Sequence, residues 1–235
     1  MVCALQGFEF YYNVCVKLSV IIPVYNEVDH IEQVLSSVQK VHMAKEVIVV
    51  DDCSQDGTTG ILRAHSDIKT LFHQKNRGKG AAIRSGLTVT SGDYVVIQDA
   101  DLEYSPAQYQ FLLKPLEKNQ TRVVYGSRIL GKGTFIRSSY YANRFLTCLT
   151  NILFCSHLTD METCYKVIDT ALLKSLNLTS SRFEIEPEIT CKLLKRKEKI
   201  IELPITYEGR KKGKKIGIKD GIQAIWNILK WKFKQ

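Results

Sequence analysis

YVVIQDADLEYSP, residues Tyr94 to Pro106, is a short apolar run that ends on two carboxylates, Asp99 and Asp101. Its first residues are mostly β-branched and predict a buried strand in a mainly parallel sheet. In an extended D-x-D the two side chains lie on the same face of the backbone, so both carboxylates approach one point. Two anions that close favour a hard divalent cation, Mg²⁺ or Mn²⁺, which takes further ligands from water and substrate phosphates. The alternative interpretation is a solvated turn.

The residues after the two carboxylates indicate that a helix begins there. Ser105 is a favoured N-cap residue, and Pro106 is a favoured first helical residue. The carboxylates therefore lie at the carboxyl end of a strand, which is where open α/β sheets bind ligands.

Apolar runs and helical patterns alternate on both sides of this strand. The runs LSVIIPV (18–24), EVIVVDD (46–52) and TLFH (70–73) predict strands, and a helical pattern follows each of them. Further strands are predicted at 123–127 and 202–207. Such alternation predicts a doubly wound, mainly parallel α/β sheet that is flanked by helices.

The composition is that of a soluble globular protein, because 45% of the 235 residues are hydrophobic and 24% are charged. These values exclude the disordered and fibrous classes. The seven cysteines are scattered and never spaced as C-x-x-C, which favours reduced thiols in a cytoplasmic protein over disulfides or structural zinc. No apolar run reaches the roughly 18 residues that a spanning helix needs, so we expect no membrane span. The length suits one large domain.

The net charge of +9 is concentrated towards the C-terminus. Residues 192–234 hold 14 Lys and Arg against 4 acids, and the remainder holds 19 against 20. A basic end on a neutral body predicts an anionic partner there, such as a lipid surface, a phosphorylated substrate or nucleic acid. A solvated basic helix is the alternative.

A predicted amphipathic helix from about 138 to 154 has an apolar stripe with two interpretations. Tyr141, Phe145, Leu149 and Ile152 recur at helical spacing. Such a stripe is typical of a core face, and it also suits an apolar contact with a membrane.

The C-terminal segment also predicts an amphipathic helix. Its composition is that of an interfacial helix, with Trp226 and Trp231 at headgroup level among Lys230, Lys232 and Lys234. A helix that docks on the domain with a wet basic face would have the same sequence.

Eight motifs, in order and spacing, resemble family 2 glycosyltransferases, and most closely the dolichyl-phosphate mannose synthase (polyprenyl-phosphate glycosyltransferase) group. They are IIPVYNE, VVDDCSQDGT, NRGKGAAIRSG, DADLEYSP, GSR, TDMETCYK, FEIEPEIT and GRKKGKKIGIKDG. The resemblance implies a GT-A fold, a GDP- or UDP-sugar donor, dependence on Mg²⁺ or Mn²⁺, and inversion at the anomeric carbon. It places the GT-A domain at 17–209, after a lead-in at 1–16 and before a basic loop and amphipathic C-terminal helix at 210–235.

The resemblance also implies roles for single residues. The expected donor-binding residues are Pro23, Tyr25, Glu27, Asp52, Asp99, Ala100, Asp101, Arg210 and Lys215, with Lys214 as an alternative to Lys215. The expected metal ligands are Asp99, Asp101 and Glu103. The acceptor phosphate is expected at Arg128 and Arg144, and the catalytic candidates are Asp101, Arg128 and Asp160. Structural interpretations stay open: Asp52 as a helix cap, and Glu186 or Glu188 as exposed acids in the first turn of a helix.

We therefore expect inverting, metal-dependent transfer of a sugar to a polyprenyl (dolichyl-type) phosphate. An anionic lipid phosphate needs no general base, whereas a glycan hydroxyl would need one, and Asp160 and Glu162 are the carboxylates available. A glycosyltransferase that acts on such a hydroxyl is the main alternative. A basic nucleic-acid-binding protein is a weaker one, because it leaves the strands that end on carboxylates unexplained, and we expect no nucleic-acid partner. The expected location is the cytoplasmic face of a membrane, bound peripherally to its anionic surface or through a membrane-protein partner.

Overall fold

The computed structural model of the protein describes residues 17–209 and 218–234. Its strands and helices, in chain order, are β1 (Leu18–Val24), α1 (Ile31–Gln39), β2 (Lys45–Asp51), α2 (Thr58–Ala64), β3 (Lys69–Phe72), α3 (Lys79–Thr88), β4 (Tyr94–Ile97), α4 (Tyr109–Glu117), β5 (Val123–Ser127), β6 (Gly133–Thr134), α5 (Arg137–Phe154), β7 (Lys166–Asp169), α6 (Thr170–Ser175), α7 (Ile185–Lys195), β8 (Ile200–Pro204), β9 (Tyr207–Glu208) and α8 (Ile218–Phe233). A 3-10 turn at Pro106–Gln108 leads into α4, so a helical segment begins at the predicted residue, although the Ser105 side chain makes no capping hydrogen bond.

Seven strands form the main sheet, in the order β3-β2-β1-β4-β7-β5-β8. All neighbouring pairs are parallel except those of β7, which runs antiparallel between β4 and β5. This arrangement confirms the predicted mainly parallel α/β sheet. Strand β7 was not predicted from the sequence, because the segment just before it, 158–165, was interpreted only from its charged residues. The reversed strand brings the residues just before Lys166 to the edge of the sheet where β4 ends.

The centre of the sheet is the core of the domain. Most of β1 is fully buried, and its parallel neighbours β2 and β4 contribute Val49, Val95 and Val96 to the same apolar cluster. Each such residue contributes about 1.5–3 kcal/mol through burial. The strand ends near Asp51 and Ile97 are thereby held rigidly, which fixes the backbone that leads into the polar residues beyond them.

One proline lies at the edge of the main sheet. Pro204 is part of β8, an edge strand, which is where a residue without a backbone N–H is tolerated. Beyond β8 the chain pairs β9 with β6 in a small second sheet. All five cysteines in the described ranges are free thiols.

Helix α8 packs against α5 and α7 and forms a second apolar cluster with them. Trp231 is buried in this cluster, so its predicted position at headgroup level is wrong, whereas Trp226 is 67% exposed. Helix α8 covers one side of α5, and the apolar stripe that the sequence favours as core lies on the other side. Tyr141, Phe145 and Ile152 of this stripe are therefore exposed. No helix within residues 17–209 and 218–234 is both long and apolar enough to cross a bilayer.

Candidate active site

A cavity of about 880 Å³ opens at the carboxyl ends of β1, β2 and β4. These strands are parallel neighbours, with Val24 beside Asp51 and Ile21 beside Ile97, so the loops that follow them converge. The cavity is lined by most of the residues that the sequence analysis selected: Pro23, Tyr25, Glu27, Asp52, Asp99, Ala100, Asp101, Glu103 and Arg128. A volume of this size is typical of a site for a small organic ligand.

Four of the selected residues do not line the cavity or lie outside the described ranges. Asp160 is buried behind Arg128, and Arg144 is exposed on α5, where its Nη1 donates to the Thr159 carbonyl at 3.5 Å. Arg210 and Lys215, together with the alternative Lys214 and the lead-in 1–16, fall outside the residues that the structure describes. Their roles stay predictions.

Asp52 joins two loops at the base of the cavity. Its carboxylate accepts hydrogen bonds from the backbone N–H groups of Arg77 at 2.9 Å and Gly78 at 2.6 Å. His73 Nδ1 lies 2.6 Å from the same carboxylate. Asp52 therefore holds the loop before α3 in place and does not cap α2. Gly78 has φ +91°, and a Cβ there would lie 2.4 Å from the Ser181 carbonyl oxygen, so this position requires glycine.

A chain of buried charges runs from the D-x-D segment into the domain. Lys79 Nζ lies 2.7 Å from Asp99 Oδ1 and 3.3 Å from Glu186 Oε1. Lys166 Nζ lies 2.5 Å from Glu186 Oε2. Burial lowers the pKa of Lys79, but the charges of Asp99 and Glu186 outweigh it and hold that pKa well above the usual value. Lys79 therefore stays charged and neutralises Asp99.

The acids at the start of α7 are buried, contrary to the interpretation of Glu186 and Glu188 as exposed first-turn residues. Glu188 is fully buried and accepts hydrogen bonds from the backbone N–H groups of Thr179 and Ser180. It also pairs with Lys192 at 2.6 Å. The sequence contained a signal for this network, because NRGKG and FEIEPEIT place a lysine and several acids in two loop-to-helix segments, but nothing in it showed that these segments meet.

Asp101 and Glu103 lie where the D-x-D segment turns away from the sheet. Strand β4 ends at Ile97, and Leu102 has φ +63°, so the segment is a turn and not the extended D-x-D of the prediction. Asp101 Oδ1 accepts a hydrogen bond from the Glu103 N–H at 3.1 Å, and Glu103 Oε2 accepts one from Tyr207 at 2.6 Å. Both carboxylates line the cavity.

The carboxylates of this turn suit a divalent ion that is completed by ligand phosphates. Within residues 17–209 and 218–234, no three His, Cys, Asp or Glu side chains come together as a metal site. Mg²⁺ is commonly held by one or two carboxylates plus substrate phosphates. All three predicted ligands have partners in the fold: Lys79 for Asp99, the Glu103 N–H for Asp101, and Tyr207 for Glu103. Their roles as metal ligands stay predictions.

Arg128 and Asp160 form a buried ion pair beside the cavity. Arg128 donates from Nε to Asp160 Oδ2 and from Nη2 to Asp160 Oδ1, both at 2.7 Å. The Arg128 backbone N–H donates to the same carboxylate at 3.0 Å, and the guanidinium lies 5.1 Å from the centre of the Tyr207 ring. Asp160 is thus fully engaged in orienting Arg128, which lines the cavity together with two other cationic side chains, Lys79 and Arg182.

Glu162 lines the cavity, and its Oε1 is buried without a hydrogen-bond partner among the described residues. Burial raises the pKa of its carboxyl from 4.5 to about 7; Lys166 and Arg128 oppose that increase, and Glu186 adds to it. Of the two carboxylates that the sequence offered as a general base, Glu162 is the one whose geometry leaves it available.

Replacing Glu162 with glutamine is expected to stabilise the fold at alkaline pH. Because the carboxyl binds its proton more tightly in the folded chain, stability is lost as the pH rises from about 4.5 to about 7, and a glutamine avoids this loss. We expect Glu162→Gln to raise the free energy of unfolding by about 1–3 kcal/mol near pH 8 and by little near pH 4. Urea unfolding at both pH values measures this, and an equal difference at both would contradict it.

Comparison with known proteins gives one matching family. The model of Glycosyl transferase family 2 matches residues 19–176. The dolichol-phosphate mannosyltransferase of Pyrococcus furiosus is 28% identical over 232 residues, which cover 92% of this chain and 64% of that protein. The UDP-N-acetylglucosamine–dolichyl-phosphate N-acetylglucosaminyltransferase of Methanococcus voltae is 27% identical over 209 residues, covering 79% and 83%. The chain spans about two thirds of the first of these relatives.

Solved structures confirm the predicted fold. Glucosyl-3-phosphoglycerate synthase from Mycobacterium tuberculosis, crystallised with Mn²⁺, UDP and glucosyl-3-phosphoglycerate, superposes with a TM-score of 0.73. The match covers 92% of this chain and 80% of the synthase at 22% identity. At that identity the likeness establishes the shared GT-A architecture alone.

Proposed function

Because this chain belongs to glycosyl transferase family 2, we propose that it transfers a sugar from a nucleotide-sugar donor to the phosphate of a polyprenyl lipid. The names of several relatives point to this acceptor class, among them a dolichol-phosphate mannosyltransferase and an undecaprenyl-phosphate sugar transferase. The donor is a GDP- or UDP-sugar.

The observation that carries the proposal is the lining of the cavity. The carboxylates Asp99 and Asp101 line it, and so do the apolar side chains of Phe145 and Ile222. These two apolar side chains are 58% and 62% exposed, so the cavity opens onto an apolar surface. An amphipathic acceptor with a phosphate head and a hydrocarbon tail fits such a path, whereas a soluble sugar acceptor gains nothing from it.

The donor binds with its diphosphate next to the turn that holds Asp101. A divalent ion on Asp101 and Glu103 would supply positive charge to that diphosphate. The charge that develops on the leaving diphosphate is also met by cationic side chains, and Lys79 and Arg182 line the cavity in addition to Arg128. Asp52 and the residues of the loop after β1 line the part of the cavity assigned to the nucleoside.

The acceptor needs no general base in this reaction. A lipid phosphate is ionised at neutral pH, so its oxygen attacks the anomeric carbon directly while the bond from that carbon to the diphosphate breaks on the opposite face, which inverts the centre. Arg128 is held by Asp160 in one orientation and presents a planar array of donors, which suits phosphate. Arg144, exposed on α5, is a second contact for the acceptor phosphate.

Glu162 favours a second candidate function. A half-buried carboxyl with a pKa of about 7 has the properties of a general base, which transfer to a sugar hydroxyl would require. In that case the acceptor is a glycan or another hydroxyl compound.

A screen of nucleotide sugars tests the proposed donor class. A ligand that binds only the folded protein raises the unfolding temperature, so UDP-glucose, UDP-N-acetylglucosamine and GDP-mannose are compared with Mn²⁺ present and absent. We expect protection by one nucleotide sugar and its nucleoside diphosphate, dependent on the metal ion. No protection by any of them would contradict the proposal.

Exposed apolar residues of α5 and α8 form the surface that we assign to the membrane. Tyr141, Phe145 and Ile152 lie on α5, and Ile222 and Trp226 lie on α8. Lys230 and Lys232 are exposed near the end of α8, and Lys234 is exposed just after it; all three can meet anionic headgroups, each contributing about 1 kcal/mol. We therefore place the enzyme peripherally at the cytoplasmic face of a membrane, alone or with a membrane-protein partner.

The two tryptophans of α8 provide a matched test of this surface. Trp226 is exposed, whereas Trp231 is buried beneath Lys192, whose Nζ lies 4.1 Å from the ring centre. Trp226→Ala is expected to weaken binding to vesicles that contain anionic lipid by roughly 10-fold with unchanged stability. Trp231→Ala is expected to lower the free energy of unfolding by about 3–5 kcal/mol. Vesicle co-sedimentation measures lipid binding by both variants, and urea unfolding measures their stability. Unchanged lipid binding by Trp226→Ala would contradict the assignment.

A further inference from the structure

Glu162 is a half-buried residue with a buried Oε1, and the proposed transfer to a lipid phosphate does not use it. Its neighbours are already engaged: Asp160 binds Arg128, and Glu186 lies between Lys166 and Lys79. Glu202 accepts hydrogen bonds from the backbone of Thr159 and Asp160. By contrast, Oε1 of Glu162 has no hydrogen-bond partner within 17–209 and 218–234.

The topology places Glu162 close to the reacting end of the donor. It precedes β7, the antiparallel strand between β4 and β5, and therefore lies at the same sheet edge as the D-x-D turn. Two residues further on, the Cys164 thiol donates to the Ile97 carbonyl at 3.4 Å, immediately before the turn. Lys79 Nζ lies 3.8 Å from that sulfur and 2.7 Å from Asp99. Glu162, Cys164 and Asp99 line one continuous cavity.

The charge of Glu162 limits what can satisfy it. Above pH 7 the Glu162 carboxyl is mostly ionised and repels an ionised phosphate, which has only acceptor oxygens, so the donor diphosphate and the lipid phosphate are poor partners for it. The nucleoside is assigned to the other side of the cavity, towards Asp52. The remaining part of the bound donor is the sugar, whose hydroxyl groups are neutral hydrogen-bond donors.

We propose, on the basis of the proposed function, that Glu162 selects the transferred sugar by accepting a hydrogen bond from one of its hydroxyl groups. A buried acceptor that is satisfied only by the correct hydroxyl penalises a sugar that lacks this group, because the oxygen is then left without a partner. Glu162 is thus a specificity-determining residue of the donor site. The charges of Lys166 and Glu186 act on its carboxyl.

Deoxy analogues of the donor test this role. Wild-type enzyme is compared with Glu162→Ala and Glu162→Gln, with Glu117→Gln as a control because Glu117 is exposed on α4. The donor that protects best among UDP-glucose, UDP-N-acetylglucosamine and GDP-mannose is used, together with its analogues that each lack one sugar hydroxyl. We expect the wild type to disfavour one analogue by roughly 10- to 10²-fold in kcat/KM, and Glu162→Ala to lose this preference.

Binding of the free nucleoside diphosphate distinguishes a role of Glu162 in sugar selection from a structural role. We expect its Kd with Mn²⁺ to be unchanged in both Glu162 variants, since it carries no sugar. An equal loss of nucleoside diphosphate and nucleotide sugar would overturn the proposal in favour of a structural role. A deoxy preference that survives in Glu162→Ala would also overturn it, as would loss of kcat with unchanged donor affinity, which indicates a general base. If the wild type binds neither ligand, the proposed function itself fails.

Discussion

Replacing Asp101 with asparagine is expected to lower the turnover of sugar transfer by roughly 10²-fold or more while the fold stays intact. Asp101 lines the cavity at the turn after β4, and its carboxylate is one of those that we assign to a divalent ion. Asparagine keeps the shape and the acceptor oxygen for the Glu103 N–H, but it removes the negative charge. The loss should therefore appear in turnover and in the dependence on Mn²⁺.

An aspartate at the opposite end of the same strand provides the control. Asp93 is exposed and precedes β4, where its carboxylate accepts a hydrogen bond from the Lys17 N–H at 2.8 Å. Asp93→Asn has the same chemistry and should leave turnover unchanged. If EDTA and Asp101→Asn both leave transfer unaffected, the carboxylate site that we assign is wrong.

Breaking the Arg128–Asp160 ion pair is expected to cost both stability and activity. Both residues are buried, and Asp160→Asn leaves the guanidinium without its counter-charge. Removal of one partner of a buried pair costs about 3–5 kcal/mol of folding free energy. Turnover should fall by roughly 10²- to 10³-fold, because Arg128 loses the contacts that aim it at the anionic groups in the cavity.

A double variant separates the two effects. Apolar residues of similar volume often replace a buried ion pair without loss of stability. Arg128→Met combined with Asp160→Leu is therefore expected to unfold close to the wild type in urea while it remains inactive, and the coupling between the sites is read from the double-mutant cycle. Activity in the stable double variant would mean that Arg128 does not contact the reacting phosphates.

The sequence predicted which residues lie at the carboxyl ends of the parallel strands, but it did not predict the ion pairs of Lys79 with Asp99 and Glu186. Runs such as LSVIIPV and EVIVVDD identified the parallel strands, and parallel strands have their carboxyl ends on one edge, so Asp52 and Asp99 could be placed together. The contact of Lys79 with Asp99 and Glu186 could not be predicted, because it joins residues 20 and 107 positions apart, where the start of α3 meets the segment before α7.

Amphipathic helices were the second source of error, for a physical reason. The spacing of Tyr141, Phe145 and Ile152 shows that they share a face of α5, but not whether another element covers that face. In the fold, α8 covers the opposite side of α5 through Ile228 and Trp231, and this leaves the stripe exposed. Helical periodicity therefore predicted the element and not its partner.

An assay of sugar transfer to polyprenyl phosphate is the most direct test of the proposed function. The purified protein is incubated with Mn²⁺, a labelled nucleotide sugar and one of three acceptors: polyprenyl phosphate, the same polyprenol without phosphate, or a soluble oligosaccharide. We expect label in the polyprenyl phosphate product only, with loss of that product in Asp101→Asn. Label on the oligosaccharide or on the free polyprenol, with none on the lipid phosphate, would contradict the proposed function.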